Sequence, residues 1–94
     1  MYARVVTSSA KRSLKKLPRR VRKDILEATV VLETNPLAGE KLSGALHFLY
    51  SLHFKSQNVP YRLAYTIDHG KKQVTIHFAH TRENFYEKLR RLFQ

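Results

Sequence analysis

The chain has 94 residues and carries 18 Lys and Arg against 7 Asp and Glu, a formal net charge of +11. That length holds one small domain, residues 1–94, and leaves no room for a second core. The absence of cysteine excludes disulfides, thiolate catalysis and cysteine-ligated zinc, and no apolar run approaches the roughly 20 residues of a membrane-spanning helix.

Hydrophobic residues make up 43% of the chain and include five Phe and five Tyr, enough for a folded core, so the charge belongs to a folded basic domain rather than a disordered tail. The segment Met1 to Thr7 lacks the apolar stretch of a signal peptide, which leads us to expect a cytoplasmic protein. Its partner is expected to be anionic.

Val and Tyr favour the extended state, so Met1 to Thr7 reads as a short strand. Ser8 and Ser9 are candidate N-caps for a helix beginning near Ala10. Leu14, Leu17, Val21, Ile25, Ala28 and Leu32 follow at helical spacing. Pro18 cannot donate a backbone hydrogen bond, so two helices are expected to meet at Leu17-Pro18. Between Lys11 and Lys23, eight of thirteen positions are basic: Lys11, Arg12, Lys15, Lys16, Arg19, Arg20, Arg22 and Lys23. By default such a run is a solvated helix face; its functional reading is contact with RNA or an acidic partner. Asn35-Pro36 ends the second helix, and Gly39 and Gly44 mark a loop.

The period then shortens to two. Leu46, Phe48, Tyr50, Leu52 and Phe54 alternate with His47, Leu49, Ser51, His53 and Lys55. After a loop at 56–60, Tyr61, Leu63, Tyr65 and Ile67 alternate with Arg62, Ala64, Thr66 and Asp68. Past a turn at His69-Gly70-Lys71-Lys72, Val74, Ile76 and Phe78 alternate with Thr75, His77 and Ala79. From Arg82 to Phe93 the spacing is helical again, with Phe85, Leu89, Leu92 and Phe93 on one face, and Lys88, Arg90 and Arg91 diluted by Glu83 and Glu87. The expected fold is α+β in the order β-α-α-β-β-β-α, an antiparallel sheet with helices packed on one face.

Antiparallel connection brings Lys55, Arg62, His80, Arg82 and Tyr86 to one end of the sheet, with His53 one strand step away. Alternation puts Ser51, His53, Lys55 and Arg62 on the polar face, expected to be uncovered. By default Arg62 is a solvated residue or a partner for Asp68 or Glu83, Tyr86 is ordinary packing, and His77 is a bystander. The functional alternative is RNA chemistry. Guanidinium groups pair with phosphate oxygens, tyrosine stacks on unstacked bases, and imidazole moves protons near neutral pH. The five histidines lack metal-ligand spacing, so neither a metal nor another cofactor is expected.

The motifs Lys41-Leu42-Ser43-Gly44, Tyr50-Ser51-Leu52, Tyr61-Arg62-Leu63-Ala64-Tyr65 and His80-Thr81-Arg82 followed by Tyr86, together with Leu14-Lys15-Lys16-Leu17-Pro18 and Thr34-Asn35-Pro36, resemble the RelE/ParE toxin superfamily over nearly the whole chain. The resemblance implies a RelE-like, microbial-RNase-like fold and a toxin of a type II toxin–antitoxin system. RelE-like members are mRNA interferases, endoribonucleases that cut mRNA in the ribosomal A site without metal and so inhibit translation. It further implies an acidic, RelB-like antitoxin and the 70S ribosome with its mRNA as partners, with no membrane and no small-molecule cofactor. Arg62 matches the arginine that supports the scissile phosphate, His80 falls at or beside a basic catalytic position, Arg82 matches a catalytic arginine, and Tyr86 matches the terminal tyrosine. RelE carries lysines where this chain has Ser51 and His53, so the general base is left open among His53, His80 and Lys55. Lys55 and the Lys11–Lys23 run would supply affinity for RNA. Two alternatives stay open: a ParE-like DNA gyrase inhibitor without nuclease activity, and a non-catalytic RNA-binding module.

Overall fold

The computed structural model describes residues 1–93. A first strand, β1 (Ala3–Val6), leads into helix α1 (Ser8–Lys15). Thr7, not Ser8 or Ser9, is the N-cap: its Oγ1 accepts from the Ala10 amide at 3.0 Å, and both serines lie inside the first turn. Pro18 caps α2 (Arg19–Ala28), where its missing N–H costs nothing, so the expected break between two helices is present. The second helix is shorter than its apolar stripe suggests. The Thr29 hydroxyl donates to the Leu26 carbonyl at 2.9 Å and interrupts the helix before a single turn, α3 (Val31–Thr34). Arg4 fastens β1 to this corner. Its guanidinium donates to Glu33, the Leu26 carbonyl and Thr29 Oγ1 at 2.9–3.0 Å.

The remaining strands are β2 (Glu40–Lys41), β3 (Tyr50–Ser56), β4 (Val59–Asp68) and β5 (Gln73–Thr81), followed by helix α4 (Phe85–Leu92). They form one five-stranded sheet in the order β1-β5-β4-β3-β2. All neighbours are antiparallel except β1, which runs parallel to β5. Two details differ from the sequence expectation. Residues 46–49 are not strand: Gly44, at φ 69°, opens a 3-10 turn over Gly44–Leu46 that leaves Phe48 44% exposed. The segment expected to be a loop at 56–60 is a tight hairpin. Ser56 pairs with Val59 across Gln57 and Asn58, both at positive φ as a two-residue turn of right-handed twist demands.

The sheet is covered on both faces rather than one. Leu52, Tyr61, Leu63, Tyr65, Val74 and Ile76 pack with Leu14, Val21, Ile25 and Leu32 under α1 and α2. On the opposite face Leu49 and Ala64 pack with Phe85 and Leu89 of α4. Successive strand residues point to opposite faces, so Leu63 and Ala64 serve two separate cores. Gly39 stays close to the sheet. Its amide donates to the Tyr65 hydroxyl at 2.9 Å, and that hydroxyl donates onward to the Pro36 carbonyl at 2.7 Å.

A β-bulge breaks the alternation of β5. Ala64 pairs with Phe78 but its neighbour Tyr65 pairs with Ile76, so His77 is an extra residue. Ile76 and Ala79 therefore face the first core, while Phe78, expected beside Val74 and Ile76, turns to the α4 side.

Candidate functional site

Arg62 sits at the centre of β4's polar face because Tyr61 and Leu63 on either side are claimed by the first core. Its direct cross-strand partners are His53 on β3 and His80 on β5. Such partners on one face have Cβ atoms about 5 Å apart, so the three side chains form a row, imidazole–guanidinium–imidazole. The bulge makes the row possible. Unbroken alternation would send His80 to the same side as Ile76; the extra residue at His77 turns His80 toward Arg62.

Tyr86 fixes the middle of the row. On the first turn of α4, its hydroxyl accepts from Arg62 Nη1 at 2.5 Å, and the Arg62 guanidinium carbon lies 5.2 Å from its ring centroid. Tyr86, expected by default to be plain packing, thus holds the arginine; neither Asp68 nor Glu83 is the partner. Arg62 Nε is buried and has no acceptor among the described residues.

His80 stacks on Phe78 with the rings 9° apart, and its Nδ1 lies 3.1 Å from Thr81 Oγ1. Burial lowers its pKa, and the positive charge of Lys88 lowers it further, against a smaller opposing effect of its hydrogen bond to Thr81. Both effects favour the neutral ring. It lines a cleft of about 330 Å³ shared with Lys16, the C-cap of α1, and with Lys88 and Arg91 of α4. Lys88 and Arg91 had no assigned role in the sequence; the signal was their position two or three helical turns after His80, on a helix returning over the sheet.

His53 and Lys55 are exposed on the face of the sheet that Arg62 occupies, with Lys55 further toward the hairpin. Arg82, exposed in a 3-10 turn over Arg82–Asn84, leaves the sheet end directly after the Tyr61–Thr81 pair. Ser51, expected on an uncovered face, is buried at 1% exposure because β2 and α4 close over it, and its hydroxyl has no partner among the described residues. His77 is half-buried in packing contacts. Its Nε2 lies 2.9 Å from Thr66 Oγ1, its ring meets Phe93 edge-on at 5.6 Å, and burial lowers its pKa.

Most of the basic run lies on the outer surfaces of the first two helices, while Lys16 at the end of α1 reaches the cleft beside His80. Lys11, Arg12, Lys15, Lys16, Arg19, Arg20 and Lys23 are exposed, and Arg22 is half-buried. Arg20 reaches Asp24 at 3.8 Å; in water such a pair contributes little and leaves the face strongly positive. Among the described residues no three His, Asp or Glu side chains are grouped to hold a metal ion, and no helix is long and apolar enough to cross a membrane.

Comparison with solved structures finds the same architecture in several toxins. A chain of the toxin–antitoxin complex RelBE2 from Mycobacterium tuberculosis is 31% identical, with a TM-score of 0.77 over 86% of this chain and 98% of that one. The isolated E. coli RelE toxin matches at 23% identity and TM-score 0.69, over 98% and 99% of the two chains. A chain of the archaeal RelE–RelB complex from Pyrococcus horikoshii matches at 22% identity and TM-score 0.63, over 86% and 94%. No curated protein sequence gives a match. The family description "ParE-like toxin of type II bacterial toxin-antitoxin system" matches residues 5–90. With that match running from β1 into α4, the chain belongs to the ParE-like toxin family of type II bacterial toxin–antitoxin systems, within the RelE/ParE superfamily.

Proposed function

We propose that this toxin is an endoribonuclease that cleaves mRNA on the ribosome. The observation that supports it is the row His53–Arg62–His80 with Arg62 held by Tyr86. Cleavage requires the 2′-oxygen to attack the adjacent phosphorus while the bond to the 5′-oxygen breaks, leaving a 2′,3′-cyclic phosphate and a 5′-hydroxyl. One group must take the 2′-proton, a cation must stabilise the crowded phosphorane, and another group must protonate the departing oxygen.

Neutral His80 suits the first task. In the tautomer that carries its proton on Nδ1, beside Thr81 Oγ1, Nε2 holds the lone pair that accepts the proton. Arg62, flanked on both sides, pairs with the phosphate, and Arg82 at the sheet end adds a second cation. His53, across Arg62 from His80, then gives the proton to the leaving oxygen, with Lys55 behind it as an electrostatic support. The exposed Lys11–Lys23 surface would dock on ribosomal RNA. The partner proteins of the similar RelE–RelB complexes suggest an acidic antitoxin for this chain, and the reading places the toxin in the cytoplasm, where ribosomes are.

Cleavage of a defined mRNA on programmed ribosomes tests the proposal. Wild type should cut, and Arg62→Ala and His80→Ala should each lose at least about 100-fold in rate, as expected when a preorganised charge or an acid–base group is removed. Absence of cleavage by wild type, or full cleavage by both variants, defeats it. A second reading follows from the family match itself: a ParE-like toxin acting on DNA gyrase. It predicts inhibited supercoiling with translation intact, so labelled methionine and thymidine uptake after induction separates the two.

A further inference from the structure

Beside Tyr86, on the flank of α4 away from His80, lies a groove of about 670 Å³ between that helix and the segment running from β2 through the Gly44–Leu46 turn. Its walls include Lys41, Ser43, Phe48, Tyr86, Arg90 and Phe93. The last three share one stripe of the helix, being spaced by four and three residues. Phe48 and Phe93, 44% and 36% exposed, meet edge to face at 5.3 Å. Their line continues at both ends, with His47 edge-on to Phe48 at 6.2 Å and His77 edge-on to Phe93 at 5.6 Å. A run of four rings, two of them openly exposed phenylalanines, is an unusual solvent-facing feature in so basic a chain.

We propose that this groove seats an unstacked base of single-stranded RNA next to the phosphate held by Arg62, an inference that rests on the nuclease reading. Three observations favour a nucleotide. The exposed aromatic faces can stack on any base, since every base has a π-face. Lys41 and Arg90 stand on opposite walls as counter-charges for the flanking phosphates, and Ser43 supplies a hydroxyl for a base edge or a 2′-oxygen. Tyr86 belongs to both places: it lines the groove and holds Arg62, so a strand crossing the phosphate site enters the groove without a gap. Glu40, the acid on this wall, opposes a phosphate and should weaken binding.

The test is fluorescence anisotropy with a labelled tetraribonucleotide made uncleavable by 2′-O-methylation, and with a matching oligonucleotide lacking the base at one position. Phe48→Ala and Phe93→Ala should each bind the full oligonucleotide about 10-fold more weakly, the order of one lost base stack. Phe93→Tyr should restore wild-type affinity, and the abasic oligonucleotide should no longer distinguish the variants. Arg90→Gln touches neither core and serves if a phenylalanine variant fails to fold; it should also weaken binding, while Glu40→Gln should tighten it. Wild-type affinity in the phenylalanine variants, or in Arg90→Gln where they do not fold, overturns the inference, including the case in which the groove receives a peptide instead. Cleavage by wild type is read separately. If wild type cuts and the variants bind normally, only the groove assignment fails; if wild type does not cut but the variants bind weakly, the nuclease reading fails and the base site stands.

Discussion

Removing one hydroxyl, in Tyr86→Phe, probes the centre of the candidate site. Among the described residues the Arg62 guanidinium has one defined acceptor, the Tyr86 oxygen, and a buried Nε with none. A hydrogen bond to a charged group contributes about 1.5–3 kcal/mol; both side chains are half-buried, so water can partly replace the lost acceptor and the lower figure applies. About 1.5 kcal/mol corresponds to roughly a tenfold fall in the cleavage rate. The ring would remain over the guanidinium. Tyr86→Ala removes that as well, adding about 0.5–1 kcal/mol and a further factor of about 2–5. Single-turnover cleavage on programmed ribosomes measures both, and a cycle with Arg62→Ala identifies the route. If Tyr86 acts through Arg62, Tyr86→Phe should change nothing once the arginine is gone. Additive losses would refute the positioning role, and an unchanged rate in Tyr86→Phe would refute the importance of the bond.

Three other outcomes follow from packing and charge. His77 and His80 have pKa values below 6.5 in the folded chain, so between 6.5 and those values the unfolded chain binds more protons. Stability should be full above about pH 6.5 and fall on acidification below it. Thermal melts from pH 7.5 to 5 should show this, with a shallower fall in His77→Asn; a flat wild-type profile would contradict it. Lys88→Gln removes a charge that depresses His80, and should move the acid limb of the cleavage profile to higher pH. Gly39→Ala would place a Cβ 2.7 Å from the Ser51 carbonyl oxygen and from the Tyr65 hydroxyl, and should cost about 1–3 kcal/mol by urea denaturation. An unchanged midpoint would mean that the loop yields freely.

The sequence carried the helical break at Pro18, the long alternating strands and the helix that closes the chain, because each is a local pattern. What it did not carry is instructive about the site. The bulge at His77 has no composition mark of its own. The one clue was a conflict: strict alternation puts His80 with Ile76, whereas hairpin geometry puts it beside Arg62. The burial of Ser51 and the Tyr86–Arg62 bond were equally hidden, since both depend on where α4 lies, and its apolar stripe says that it packs but not on which face. Residues 46–49 alternate well enough for a strand; the positive φ of Gly44 and the turn it opens overrode the pattern.

The parallel pairing of the first strand with the last has a consequence for the life of the chain. Ala3 finds its partner only in Gln73, and the row at the site is complete only when His80 and Tyr86 have been made. Contacts so distant in sequence close slowly. A chain synthesised only as far as β4 therefore has neither a finished sheet nor the row, because Gln73–Thr81 and Tyr86 supply the missing strand, the second imidazole and the hydroxyl that holds Arg62.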